Sequence, residues 1–125
     1  MPKRSTLSRT AALGRQAERF RQSKQEFDKL DYFCKGTVLE RWMKCGQPSC
    51  PCHTDPAKRH GPYWQWTYKV QGKTVNVQLS TEAGPIYKAA AQQYRRLKSL
   101  LNRLEKLSRS GLVLLARKAA IERKI

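Results

Sequence analysis

Three of the four cysteines and both histidines of this 125-residue chain fall between Cys45 and His60, in CGQPSCPCHTDPAKRH. The spacing Cys45-x4-Cys50-x-Cys52-x7-His60 offers three thiolates and one imidazole, a donor set that suits a tetrahedral zinc ion. Gly46, Pro48 and Pro51 force turns in place of regular structure, and Pro51 bends the chain enough for Cys50 and Cys52 to reach one ion. Spacing alone leaves the fourth ligand open. His53 competes with His60, although its adjacency to Cys52 strains joint binding, and Cys34 upstream could also close the site. Four protein ligands leave no open coordination position, so the expectation is a structural Zn2+ and no catalytic metal. Such a site contributes on the order of 10 kcal/mol to the folding of a small domain. The other reading of these residues is a set of free, partly buried thiols.

The hairpin after the cluster is the clearest local structure in the sequence. YWQWTYKV and KTVNVQL flank Gln71-Gly72, a two-residue tight turn with glycine second. That turn pairs Val70 with Lys73, Tyr68 with Val75, Trp66 with Val77 and Trp64 with Leu79, all on one face. Lys69 with Thr74, Thr67 with Asn76, and Gln65 with Gln78 occupy the other. A one-residue slip would mix the faces, so pattern and turn agree on the register. Trp64, Trp66 and Tyr68 therefore read as core, while Tyr63, Gln65, Thr67 and Lys69 face outward and suit contacts to a nucleic-acid groove or backbone. Thr37 to Met43, TVLERWM, reads as a further short strand.

Helices flank this region. Leu13, Ala17, Phe20, Phe27, Leu30 and Cys34 recur at helical steps, which predicts a narrow-striped helix over residues 9–34. Residues 85–125 predict a second helical zone. Ser80 or Thr81 can cap it, Pro85 fits its first turn, and Ile86, Ala90, Tyr94, Leu97, Leu101 and Leu104 form its stripe, widened by Leu100 and Leu107. Ser110-Gly111 predicts a break before a last amphipathic piece. The stripes match each other, so they predict pairing within one chain or a homodimer seam.

The charge limits the partners. Lys and Arg number 26 against nine acids, a formal net charge of +17, which calls for a polyanionic counterpart. In residues 85–109 Glu105 is the single acid amid Lys88, Arg95, Arg96, Lys98, Arg103, Lys106 and Arg109. Of these, Lys88, Arg95, Arg96, Arg103, Lys106 and Arg109, with Arg15, Arg19, Arg21 and the outward Lys69, are the candidate phosphate contacts. No apolar run approaches the roughly 20 residues of a membrane span, and the basic N-terminus lacks the apolar stretch of a secretory signal. The expected compartment is the cytoplasm, nucleoid association included, where clustered cysteines bind metal more readily than they form disulfides. Paired carboxylates, a Ser-His-Asp set and phosphate-cradling glycine loops are all missing, so the expectation is no enzyme.

Val38-Leu39-Glu40-Arg41, then Cys45-Gly46, Cys50, Cys52, His60-Gly61-Pro62-Tyr63, Gly72-Lys73 and the leucine- and arginine-rich Tyr94 to Leu104 carry a family resemblance. Over about residues 36–107 the chain resembles a family of small bacterial and archaeal proteins known as a domain of unknown function. The resemblance implies Cys45, Cys50, Cys52 and His60 as the metal set, leaving out Cys34 and His53. It also implies a setting near mobile-element genes, which favours DNA over RNA as partner. The combined expectation is α+β: a basic, disordered tail at 1–8, then one domain over 9–125. That domain is a zinc-clamped antiparallel hairpin or three-stranded sheet at 36–84, between an N-terminal helix and a long basic C-terminal one. Its expected role is a non-enzymatic, zinc-containing nucleic-acid-binding accessory. The alternative is a protein-interaction or oligomerisation module that uses the leucine-rich helix.

Overall fold

The structure is a computed structural model and describes residues 6–123. The fold is α+β. Helix α1 (Thr6–Gln25) leads through a 3-10 turn at Glu26–Lys29 to strands β1 (Thr37–Met43), β2 (His60–Val70) and β3 (Lys73–Leu79), then helix α2 (Ala83–Arg123). The chain forms two compact units. One draws on Met1–Leu30 and Arg96–Ile125, the other is Asp31–Arg95. Of the expected tail at 1–8, residues 1–5 lie outside the described residues, and α1 already begins at Thr6.

In the Asp31–Arg95 unit the sheet is antiparallel with order β1-β2-β3. Strands β2 and β3 pair Trp64 with Leu79, Trp66 with Val77, Tyr68 with Val75 and Val70 with Lys73, the register expected from the sequence. Gln71 and Gly72 both take positive φ, 50° and 79°, as a turn that follows the strand twist requires. Strand β1 adds Val38 opposite Trp66 and Glu40 opposite Trp64.

One face of this sheet is covered by the start of α2. Ser80 caps the helix, its Oγ accepting from the Ala83 N–H at 3.1 Å and its carbonyl from the Gly84 N–H at 3.0 Å. Gly84 lies so close to the Trp64 indole that an added Cβ would sit 2.1 Å from the ring. Tyr87 stacks on Trp66 with centroids 5.2 Å apart, and Trp66 stacks on Tyr68 at 4.2 Å. The opposite face carries Thr37, Leu39 and Arg41 of β1, Tyr63, Gln65, Thr67 and Lys69 of β2, and Thr74, Asn76 and Gln78 of β3.

The expected helix over 9–34 ends early. Beyond Gln25 the chain tightens into the 3-10 turn, and Leu30 is extended at φ −73° and ψ 138°. Tertiary hydrogen bonds replace helical ones: the Asp31 N–H donates to Gln93 Oε1 at 3.1 Å and the Cys34 N–H to the Ala90 carbonyl at 3.2 Å. Leu30 and Cys34 therefore leave the helical stripe, and Phe27 sits on the 3-10 turn.

In the other unit α1 packs antiparallel on the C-terminal part of α2. Gln16 Nε2 donates to the Leu107 carbonyl, and Arg103 pairs with Glu26 at 3.1 Å. Most of the expected stripe on α2 turns inward, with Ala90, Tyr94, Leu97, Leu104 and Leu107 half-buried. Leu100 is buried while Leu101 and Ile86 are exposed. The expected break at Ser110-Gly111 is absent, because α2 runs through it. Gly111 is buried there, and an added Cβ would lie 2.6 Å from Gln16 Oε1, so the bare backbone admits the glutamine side chain. Among the described residues no helix is long and apolar enough to cross a membrane.

Candidate metal centre

The loop between β1 and β2 carries the cysteines. A short 3-10 turn at Pro51–His53 begins on Cys50, and a second at Pro56–Lys58 is capped by Asp55, whose Oδ1 accepts from the Ala57 N–H at 3.0 Å. Proline at the first position of each turn presets φ and gives up no needed N–H. The result folds the loop back on itself and brings Cys50 and Cys52 to Cys45.

His60 arrives from the far side, at the start of β2. Between the pairs Arg41–Tyr63 and Met43–His60, β2 contains one residue more than β1. This bulge falls at Gly61-Pro62 and shifts the phase of β2, so that His60 pairs with Met43. Gly61 takes φ 150°, and an added Cβ would meet the Arg41 carbonyl oxygen at 2.7 Å, which makes glycine necessary.

The four ligand atoms of Cys45, Cys50, Cys52 and His60 lie within 4.8 Å of one another and could hold a metal ion. Cys45 Sγ and Cys52 Sγ are 3.5 Å apart, and Cys50 Sγ is 3.4 Å from His60 Nε2. A tetrahedral ion with metal–sulfur bonds of about 2.3 Å and metal–nitrogen bonds of about 2.0 Å needs S···S near 3.8 Å and S···N near 3.5 Å. The donor set fits such an ion with small adjustments. All four cysteines are free thiols, with no disulfide competing for the sulfurs.

The surroundings polarise the thiols in opposite directions. Burial pushes the Cys52 thiol above the ordinary cysteine value. Hydrogen bonds from the Cys52 backbone and side chain pull Cys50 below it. The Cys45 N–H also donates to Cys52 Sγ at 3.3 Å. Such N–H···S bonds stabilise thiolates, as metal ligation requires.

The two competitors for the fourth position are engaged elsewhere. His53 Nε2–H donates to the Cys45 carbonyl at 2.8 Å, bracing the backbone of a ligand. The Cys34 thiol donates to the Tyr87 carbonyl at 3.7 Å, and burial raises its pKa. No sequence pattern announces the bracing role of His53, which depends on how the loop folds back.

The candidate phosphate contacts are divided between the units. Lys69, Lys88 and Arg95 belong to the sheet unit, and Arg15, Arg19, Arg96, Arg103, Lys106 and Arg109 to the helical one. Arg103 is held by Glu26 and Arg109 by Glu105 at 2.6 Å, and Arg21 pairs with Glu18 at 3.0 Å. Arg15, Arg19, Lys69, Lys88, Arg95, Arg96 and Lys106 are exposed and make no ion pair among the described residues.

Fold and site together define a small α+β protein whose three-stranded sheet is joined at one end by a Cys3His cluster. A family model matches residues 10–89, more than half of the chain, and the protein belongs to that family, a domain of unknown function designated DUF6788. The match reaches back through most of α1 and stops early in α2, where the motif resemblance had spanned 36–107. No curated protein and no solved structure matches the chain.

Proposed function

We propose that this protein is a non-enzymatic, zinc-containing accessory that binds nucleic acid, DNA in preference to RNA, through arginine and lysine side chains on a metal-stiffened scaffold. The observation that carries the reading is uncompensated charge. The unit of Met1–Leu30 and Arg96–Ile125 has 17 basic residues against five acids. An isolated surface with that excess repels itself, and phosphates relieve the repulsion while releasing condensed counterions. A DNA partner agrees with the mobile-element setting implied by the motif resemblance and with a cytoplasmic location.

Zinc is the favoured ion because three thiolates and an imidazole are soft to borderline donors in a closed tetrahedral set. Its role is structural. The sheet unit buries few apolar side chains fully, Cys52, Trp64 and Ala91 among the described residues. A unit of that size gains only a few kcal/mol from its core and needs a staple.

Duplex DNA retardation tests the reading, with salt varied at fixed zinc. Charge reversal at Arg95, Arg96 and Lys106 is expected to flatten the dependence of log K on log[salt] by about 0.9 for each phosphate no longer neutralised. Arg103 is a poor choice for reversal because its replacement also breaks its pair with Glu26 of the 3-10 turn. Binding that ignores both salt and these reversals would refute the proposal.

A second reading rests on Leu101, Leu112 and Leu115, which are 55%, 60% and 50% exposed. Steps of eleven and three place them on one face of α2, the form of a protein-interaction seam. It predicts a stable oligomer that Leu112→Lys dissolves, with no nucleic-acid binding.

A further inference from the structure

The uncovered face of the sheet has a hollow of about 390 Å³ bounded by Arg41, Met43, Lys44, Tyr63, Gln65 and Gln78. We propose that this hollow binds one nucleotide of a single-stranded nucleic acid, with the base against Tyr63 and the phosphate on Arg41 and Lys44. The proposal rests on the nucleic-acid reading above and gives it a specific site, separate from the helices.

The strand register builds the hollow. Arg41 lies directly across from Tyr63, and Gln65 directly across from Gln78. A cation, an aromatic ring and two carboxamides thus occupy adjacent positions on three strands. Tyr63 is 49% exposed and Met43 47%, large apolar surfaces left in water, while the hairpin's other aromatics, Trp64, Trp66 and Tyr68, are buried or half-buried. No lining residue is acidic, and Arg41 and Lys44 have no ion pair among the described residues. The two cations therefore have no internal reason to sit together beside an exposed ring.

Each group matches part of a nucleotide. An exposed aromatic face stacks on any base, and methionine adapts to the contact. A carboxamide offers both donor and acceptor to a base edge. Arginine and lysine supply the phosphate contact. Stacking of this kind needs an unpaired base, because in a duplex both base faces are already stacked. The site is also tied to the cysteine cluster. Lys44 directly precedes Cys45, and Met43 pairs with His60, so ligands of the cluster fix two of its walls.

The test is fluorescence anisotropy of the full-length, zinc-loaded chain with labelled mixed-sequence single-stranded DNA, single-stranded RNA and the matched DNA duplex. One base stack is worth about 1–3 kcal/mol, so Tyr63→Ala is expected to weaken single-strand binding by roughly 5- to 150-fold. Tyr63→Phe should restore it, and duplex binding should barely change. Gln78→Glu puts a carboxylate into an exposed position where it cannot disturb a core, and should weaken single-strand binding by about tenfold or more. The DNA and RNA arms decide which strand is preferred. Unchanged single-strand affinity in both variants, with fold and metal content intact, would overturn the proposed site while leaving helix-borne binding in place. Equal weakening on duplex and single strand would overturn the single-strand assignment. A wild-type chain that binds none of the three would overturn this site and the nucleic-acid reading together.

Discussion

Gly84→Ala and Gly14→Ala are the same chemical change and should move stability in opposite directions. Alanine favours a helix over glycine by about 1 kcal/mol, so propensity alone stabilises both. At Gly84 an added Cβ would lie 2.1, 2.2 and 2.6 Å from three atoms of the Trp64 indole, against an ordinary contact of 3.4 Å or more. Ring or helix must move by more than about 1 Å. Neither moves easily: Trp64 is 7% exposed, and the first turn of α2 is held by the Ser80 cap. Overpacking of this kind costs typically 1–3 kcal/mol, and with no room to relax the upper end applies. Net of propensity, Gly84→Ala should destabilise the sheet unit by about 1–2 kcal/mol. At Gly14 nothing lies within 4 Å of the added carbon, and the gain of about 0.5–1 kcal/mol should appear intact. Gly111→Ala falls between them. The clash there is with the end of a flexible glutamine, so a broken hydrogen bond of about 1 kcal/mol roughly offsets the propensity gain. Urea unfolding at saturating metal measures all three. All three tryptophans lie in Asp31–Arg95, so their fluorescence reports the sheet unit, while far-UV dichroism follows the helices. A Gly84→Ala chain as stable as wild type, beside a stabilised Gly14→Ala, would show that α2 does not rest on Trp64.

Two further outcomes follow from the same geometry. Metal affinity should rise with pH, because three thiols must lose protons on binding. Burial holds the Cys52 thiol protonated to higher pH than an ordinary cysteine, so acidification should release the ion with uptake of up to three protons, measurable by a chromophoric chelator and a pH indicator. Metal retained undiminished well below neutral pH would contradict thiolate ligation. In the hairpin, Gln71 holds φ 50° without being glycine, so Gln71→Asn, giving the favoured Asn-Gly turn, should stabilise the sheet unit by about 0.5–1 kcal/mol in the same urea assay. A drop in stability would mean the turn is of another type.

What the sequence disclosed and what it withheld divide along physical lines. The hairpin was legible in full because period-two alternation and a turn with glycine second fix one register, and any slip exposes the tryptophans. The cysteine spacing was equally plain but left the fourth ligand open; the motif resemblance pointed to His60, and the bulge at Gly61-Pro62 and the backward fold of the loop, which is tertiary information, are what bring it to the cysteines. The α2 stripe was legible except at Ile86 and Leu101, which are exposed. Leu100 and Leu101 are interchangeable as apolar letters, and the seam is set by polar Gln16 docking on the Leu107 carbonyl beside Gly111. Ser23, buried on α1, was invisible for the same reason, since an apolar pattern search passes over a serine. Glycine at 111 looked like a breaker because its cost to a helix is intrinsic, whereas its benefit comes from another helix.

The arrangement of the sheet unit explains why a metal and an open polar face would occur together. A three-stranded sheet has two faces, and a free-standing one normally needs an apolar face packed against another layer. Here Trp64, Trp66 and Tyr68 bury one face under the start of α2, and no further layer is required if the end of the sheet is held by other means. The Cys3His cluster joins the β1–β2 loop to the first residue of β2, the region where the pairing is interrupted and hydrogen bonding alone is weakest. With that end fixed, stability does not demand apolar side chains on the outer face. Arg41, Lys44, Tyr63, Gln65 and Gln78 stand there instead, where the proposed nucleotide would lie. Removing the metal should therefore disturb this face before it unfolds the helices, because Lys44 directly precedes Cys45 and Met43 pairs with His60, so two of its walls adjoin two of the candidate ligands.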